Sequence, residues 1–455
     1  KEHCDGKDKR ARKMLFSRKD LTKLLIPLII EQTLAVAVGM ADVVMVAAVG
    51  EAAVSGVSLV DSISLLINQL LAALATGGAV VISQYLGNKK VGKACHAAGQ
   101  LVFITTLVSF VIAAVALIFN RHLLGTIFGQ VETDVMNNAV TYFAITACSY
   151  PFLALYNSCA AVYRSVGNSK VSMYVSLIMN AINVVGNYTC VYILHWGVEG
   201  VAYPTLVSRM AAAAIMLALI KRKDNLVRVR RAKDLYPSFR LIGNILSVGI
   251  PSGLENSIFQ VGKLTLQSLV SSLGTTALAS YAVASNLVTL EYLGTTAIGL
   301  GMITVVGRCV GAKEYGQAKF YTRRLVLLTY GFLAVICTVM VLGAKEIVGV
   351  YQLSPEASAE AIRMITVHSA VMILHPIAFC LPNALRASYD PKFTMAVSIF
   401  SMWAFRVLLA YWFVREMNLG IMGVWYGMYV DWAFRALVFA LRFHGYQKRM
   451  ERRWA

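Results

Sequence analysis

Twelve times along its length this chain runs through roughly 20 or more nearly uninterrupted apolar residues, the length a helix needs to cross ~30 Å of hydrocarbon. A backbone in lipid must satisfy its own N–H and C=O groups, so spans of this kind are helices. The apolar stretches predict helices at about 24–48, 53–83, 96–119, 135–161, 171–194, 199–220, 244–272, 277–307, 325–343, 358–385, 393–414 and 420–441. The expected fold class is thus an all-α membrane protein with twelve transmembrane helices. A chain that is 58% apolar and only 14% charged lies outside the range of soluble domains. Residues Lys1 to Lys23 mix charges of both signs without an apolar region or a small-residue cleavage site, so they do not read as a signal peptide.

The formal charge of +19 would suggest a nucleic-acid partner in a soluble protein. Sorting it by side removes that reading. With the amino terminus placed inside, the segments 1–23, 84–95, 164–170, 221–240, 308–324, 386–392 and 442–455 hold 34 of the 42 Lys and Arg residues. The outer loops hold only Arg121, Lys345 and Arg415. Cytoplasmic loops carry such an excess, so both termini are expected in the cytoplasm of a cell membrane, with anionic lipids as partners and no nucleic acid. Eight scattered cysteines without a CxxC pair read as small packing residues.

The sequence repeats itself. A shift of 224 residues aligns Pro27 with Pro251, Glu31 with Glu255, Gly50 with Gly274, Gly77 with Gly301, Gly87 with Gly311 and Lys89 with Lys313, without a gap. With small shifts Arg164 then meets Arg386, and Gly200 and Tyr203 meet Gly423 and Tyr426. Six helices per half is an even number, so both halves enter from the same side. The expected architecture is two six-helix lobes related by a pseudo-two-fold axis along the membrane normal, with a cavity between them. This divides the chain into an amino-terminal segment (1–23), a first lobe (24–220), a cytoplasmic linker (221–243), a second lobe (244–441) and a tail (442–455).

Ionisable residues inside spans are costly and need a reason. Asp42 in the first helix is either a cation or proton site or a structural hydrogen-bond partner. Glu31 and Glu255, one turn after the repeated prolines, either line the cavity or pair with basic residues near the interface. Lys263 predicts a carboxylate partner, Glu255 or Glu291, forming either a protonation-sensitive pair or a strut. Asp431 and Arg435, four apart, read as a local ion pair, and Arg406 has no partner in the sequence. The aromatic residues of the last helices read mainly as interfacial belt and packing. Pro27 leaves a carbonyl unpaired and permits a bend in helix one. No Walker loop or HExxH motif is present, so the chain does not read as an enzyme.

Over residues 20–445 the sequence resembles the multidrug and toxic compound extrusion (MATE) family. The resemblance rests on Pro27 to Gln32 followed by Gly39-Met40-Ala41-Asp42, on Val49-Gly50, Gly87-Asn88-Lys89 and Arg164 to Asn168, on Asn183 to Asn187, and on Gly200 to Thr205. It implies export of drugs in exchange for sodium or protons, with no cofactor and with Pro27 as a hinge in helix one. It also implies a coupling-cation site in the first lobe, which falls by motif on Asp42, Asn183, Asn187 and Thr205. Position 187 departs from that pattern, with Asn where the family site has a second Asp.

With Glu31, Glu255, Lys263 and Glu291 assigned to the substrate cavity, the carboxylates within helices, Glu31, Glu255, Glu291 and Asp61, outnumber the one deep lysine, Lys263. The expected substrates are therefore cationic or zwitterionic amphiphilic drugs, moved by alternating access in a monomer. Two alternatives stay open. One is a flippase for lipids or lipid-linked oligosaccharides, which the resemblance gives about fourteen helices and a more cationic cavity; the other is a channel or membrane scaffold.

Overall fold

The computed structural model describes residues 14–129, 132–229 and 236–454. Most of the expected amino-terminal segment (1–13), part of the linker (230–235) and the last residue of the tail lie outside the described residues.

The first half consists of α1 (Arg18–Ala47), α2 (Glu51–Gly87), α3 (Val91–Ile118), α4 (Thr133–Val166), α5 (Ser169–Tyr188, extended by a π turn Thr189–Ile193) and α6 (Glu199–Ile220). The second consists of α7 (Phe239–Ser271), α8 (Thr275–Gly311), α9 (Tyr315–Leu342), α10 (starting as Pro355–Val371), α11 (Pro391–Arg415) and α12 (Gly420–His444). Nine of these are long and apolar enough on their own to cross a membrane. The other three are α5, α7 and α12, which carry Asn183 and Asn187, Glu255 and Lys263, and Asp431 and Arg435. Twelve membrane-spanning helices in two six-helix lobes is the architecture expected from hydropathy and the internal repeat.

The helices outrun their hydrophobic stretches. Helix α9 begins ten residues before the expected 325, because hydrogen bonding continues past the edge of the apolar run. Helix α1 starts at a capping box in which the Ser17 and Asp20 side chains each accept the other's backbone N–H. Ser354 caps α10 by accepting from the Ala357 amide at 3.2 Å. The tenth span, expected unbroken over 358–385, is interrupted. After Val371 it passes through a tight turn (Met372–Leu374) and a π turn (Pro376–Cys380) into Leu381–Ala387. Pro376 and Pro382 lack the N–H an α-helix needs there. Short helices at Asn120–Phe128, Ala344–Gly349 and Tyr446–Trp454 were not foreseen.

The duplication reappears in the backbone. Gly50 and Gly274, which cap α2 and α8, have φ of 132° and 98°. Lys89 and Lys313, just past the same helices, have φ of 58° and 61°. Burial is organised the same way. One large apolar cluster joins both lobes at the basic end of the molecule, with Leu24 and Val80 packed among Ile245, Met302 and Ala384. Away from that end the core splits into one cluster per lobe.

The joint at the basic end is a reciprocal clasp. From α2, Gln84 Nε2 donates to the Ala387 carbonyl at 2.8 Å. From α8, its repeat equivalent Arg308 donates through Nη2 to the Ser165 carbonyl, also at 2.8 Å. Backbones meet without side chains between them. A Cβ at Gly87 would lie 2.0 Å from the Arg308 carbonyl oxygen, and one at Gly311 would lie 2.0 Å from that of Gln84. Only glycine permits this approach.

Candidate functional site

In the first lobe, α1, α5 and α6 bring Asp42, Asn183, Asn187 and Thr205 together. Asn183 and Asn187 are four apart and share a face of α5. Asn187 Nδ2 donates to Asp42 Oδ1 at 2.9 Å and lies 3.4 Å from Asn183 Oδ1. Asn183 Nδ2 donates to Thr205 Oγ1 at 3.0 Å. Asn187 is fully buried, and among the described residues its Oδ1 has no hydrogen-bond donor. A buried acceptor of this kind beside a carboxylate is suited to receive a positive charge or a proton-bearing group.

Sequence reasoning did not connect this cluster to its surroundings. Tyr142 donates to Asp61 Oδ1 at 3.3 Å, and Arg209 Nη1 donates to Ser149 Oγ at 2.6 Å. Arg209 lies within electrostatic range of both Asp42 and Asp61. The mid-span positions of Asp61 and Arg209 were the available signal.

At Pro27, expected as a hinge, α1 runs on unbroken. Proline cannot donate to the Lys23 carbonyl, which was therefore expected to be unpaired. The Ser169 hydroxyl at the start of α5 supplies a donor instead, lying 3.4 Å from the Lys23 oxygen and 2.5 Å from that of Leu24.

Between the lobes lies a cavity of about 580 Å³, a size suited to a drug-like molecule. Glu31 and Glu255 both line it, and both are paired with the repeated arginines. Arg164 lies 3.6 Å from Glu31, which also accepts from Tyr156 at 3.2 Å and Ser172 at 2.9 Å. Arg386 reaches Glu255 at 2.7 Å and Asn383 at 2.8 Å. The two roles left open for these glutamates are thus combined in the geometry: cavity lining and ion pairing.

Three expectations for the second lobe are corrected. Glu291 does not line the cavity. It is fully buried, accepts from Ser369 at 2.6 Å and lies 3.7 Å from His368 Nε2. Its neighbour Tyr292 faces the cavity instead, since adjacent residues on a helix point about 100° apart. Lys263 pairs with neither Glu255 nor Glu291: Arg386 holds the one, and Ser369 and His368 flank the other. It sits 5.6 Å from the Phe259 ring centroid, and among the described residues no carboxylate is within ion-pair distance of it.

The third correction concerns charge. Asp431 does pair with Arg435 at 2.6 Å, but Arg406 also approaches it at 3.8 Å, and both arginines line the cavity. Cations, not carboxylates, are in excess there. Trp432, expected among belt and packing residues, forms part of the same wall with Phe379 and His375. The missing partner of Arg406 was the only hint of this arrangement in the sequence.

Comparison with known proteins gives this geometry a setting. The MatE family model matches residues 27–189 and 251–412, one stretch in each lobe. The chain is 27% identical over 424 residues to a protein named Uncharacterized transporter YisQ of Bacillus subtilis, covering 90% of each. It is 24% identical over 432 residues to a Probable multidrug resistance protein NorM of Thermotoga maritima, covering 94% of this chain and 92% of that one. Among solved structures, an outward-facing multidrug resistance MATE family transporter superposes with a TM-score of 0.90 at 19% identity, over 95% of this chain and 96% of that one. The family match falls on the two halves that the repeat and the clasp define: this chain belongs to the MatE family and is a multi-pass membrane transporter, not an enzyme.

Proposed function

We propose that the chain is a secondary active antiporter of the cell membrane, exporting amphiphilic drug-like molecules in exchange for sodium or protons by alternating access. The observation that carries this reading is the first-lobe cluster. Asp42, the cluster's one carboxylate, meets two amides and a hydroxyl, and one buried amide oxygen lacks a donor among the described residues. Sodium would take oxygen ligands from these groups, and a proton would neutralise Asp42. The cation is cargo here, so the site loads and empties with each cycle. The clasp at the basic end, cytoplasmic by the distribution of Lys and Arg, supports a state closed to the cytoplasm. No cofactor enters this scheme, and a monomer suffices for it.

The flippase alternative gains support from the cationic cavity but not from the helix count of twelve. The deciding experiment uses purified protein in sealed vesicles, with a sodium gradient and a pH gradient imposed one at a time. Gradient-dependent movement of a fluorescent amphiphile is expected under at least one of them. Equal movement with and without gradients would point to a channel and end the antiport reading.

A further inference from the structure

We propose that the second-lobe side of the cavity receives an organic anion, a flat apolar molecule bearing a carboxylate or phosphate group, held by Lys263, Arg406 and Arg435. The proposal deepens the transport reading by naming its substrate class, and rests on that reading for movement but not for binding.

The case begins with the charges facing the cavity. Glu31 is matched by Arg164 and Glu255 by Arg386. Once these pairs are set aside, Lys263, Arg406 and Arg435 remain against a single carboxylate, Asp431. Two positive charges in excess at membrane depth are costly unless an anion joins them. A purely structural strut would be charge-balanced, as the Glu31 and Glu255 pairs are.

The three cations also converge. Their charged groups lie 5.6, 5.0 and 5.4 Å from the centroid of one ring, Phe259. No two of them are then more than about 11 Å apart, so one anionic group can feel all three.

Donors are available to hold it. Arg406 is buried, its Nε has no acceptor among the described residues, and its Nη2 donates at 3.1 Å to the Met428 sulfur, a weak acceptor that a carboxylate or phosphate oxygen would displace. Among the described residues, Lys263 is engaged only with the Phe259 ring. Arg435 is occupied by Asp431 and the Ser398 carbonyl, so it contributes charge more than hydrogen bonds. Beside these groups, Tyr292, Phe379 and Trp432 offer a wall of ring faces and edges for a planar body.

The test is equilibrium dialysis of the purified full chain in detergent against two probes that share one ring system, anthracene carboxylate and anthracene methylammonium. The carboxylate is expected to bind at least about tenfold more tightly. Lys263→Gln is expected to weaken carboxylate binding about tenfold and to leave ammonium binding unchanged or improved, while Lys263→Arg keeps the preference. Lys263 holds no ion pair among the described residues, so this variant is expected to fold. Equal or reversed preference in the unmodified chain, or carboxylate affinity unaffected by Lys263→Gln, would overturn the proposal. Because no gradient is imposed, the two readings fail separately. A chain that binds the carboxylate but moves nothing in vesicles refutes transport alone, and one that transports while preferring the ammonium refutes the anion site alone.

Discussion

Asn187 donates to Asp42 at 2.9 Å with its amide nitrogen, while its own amide oxygen meets no donor among the described residues. A second carboxylate at position 187 would supply charge where this chain supplies only a dipole, so a cation held by the proposed four-residue cluster would find Asp42 as that cluster's one carboxylate.

Asp42→Asn is therefore expected to reduce gradient-driven flux in vesicles to background. Its melting temperature should stay near the unmodified value or rise, since a costly charge is removed and two amides can still pair. Asn187→Asp should tighten binding of the coupling cation. Flux at the unmodified rate in Asp42→Asn under both gradients would exclude this cluster from coupling.

Glu31 and Glu255 are repeat equivalents with different support. Glu31 accepts from Tyr156 and Ser172 besides facing Arg164, whereas Glu255 Oε2 is buried without a partner and its other oxygen depends on Arg386. Glu255→Gln strands a half-buried guanidinium and should cost about 3 kcal/mol, read as a lower melting temperature in detergent. Adding Arg386→Gln to it should recover part of that loss, because no unmatched charge remains.

The glycine contact between α2 and α8 leaves no room for a methyl group. Gly311→Ala is expected to push the basic ends of the lobes apart and favour opening on that side. Thiol labelling of Asn383→Cys, which lines the cavity near Arg386, should then speed up several-fold in inside-out vesicles. An unchanged labelling rate would mean that the clasp is not the gate.

Orientation can be checked at the linker. Asp224→Cys, exposed just after α6, should react with an impermeant thiol reagent only in inside-out vesicles, measured against the unmodified chain. Labelling in intact cells would invert the assigned topology.

Hydropathy and the positions of Lys and Arg are properties of single segments, so the number of spans and the duplication could be read along the chain. The grouping of Asp42 with Asn183, Asn187 and Thr205 came from motif resemblance, because no local pattern tells α1 that it will meet α5 and α6. What stayed hidden depended on helix phase and on long side chains. Glu291 and Tyr292 are neighbours in sequence, yet only one faces the cavity, and in a span with no polar face hydropathy cannot say which. Arg406 reaches Asp431 on another helix, 25 positions along the chain, through a side chain long enough to choose among several partners.

The meeting of Gly87 with Arg308 and of Gly311 with Gln84 also bears on how such a protein can change over generations. Duplication ordinarily frees one copy to drift while the other keeps its task. Here each copy presses its backbone against its twin, so a side chain gained by either glycine is felt at once by the opposite half. The polar partners are less constrained, and they have in fact diverged, to glutamine in one half and arginine in the other, because either can reach a carbonyl across the joint. The two halves are thus free to take on different roles only at positions away from the joint they share.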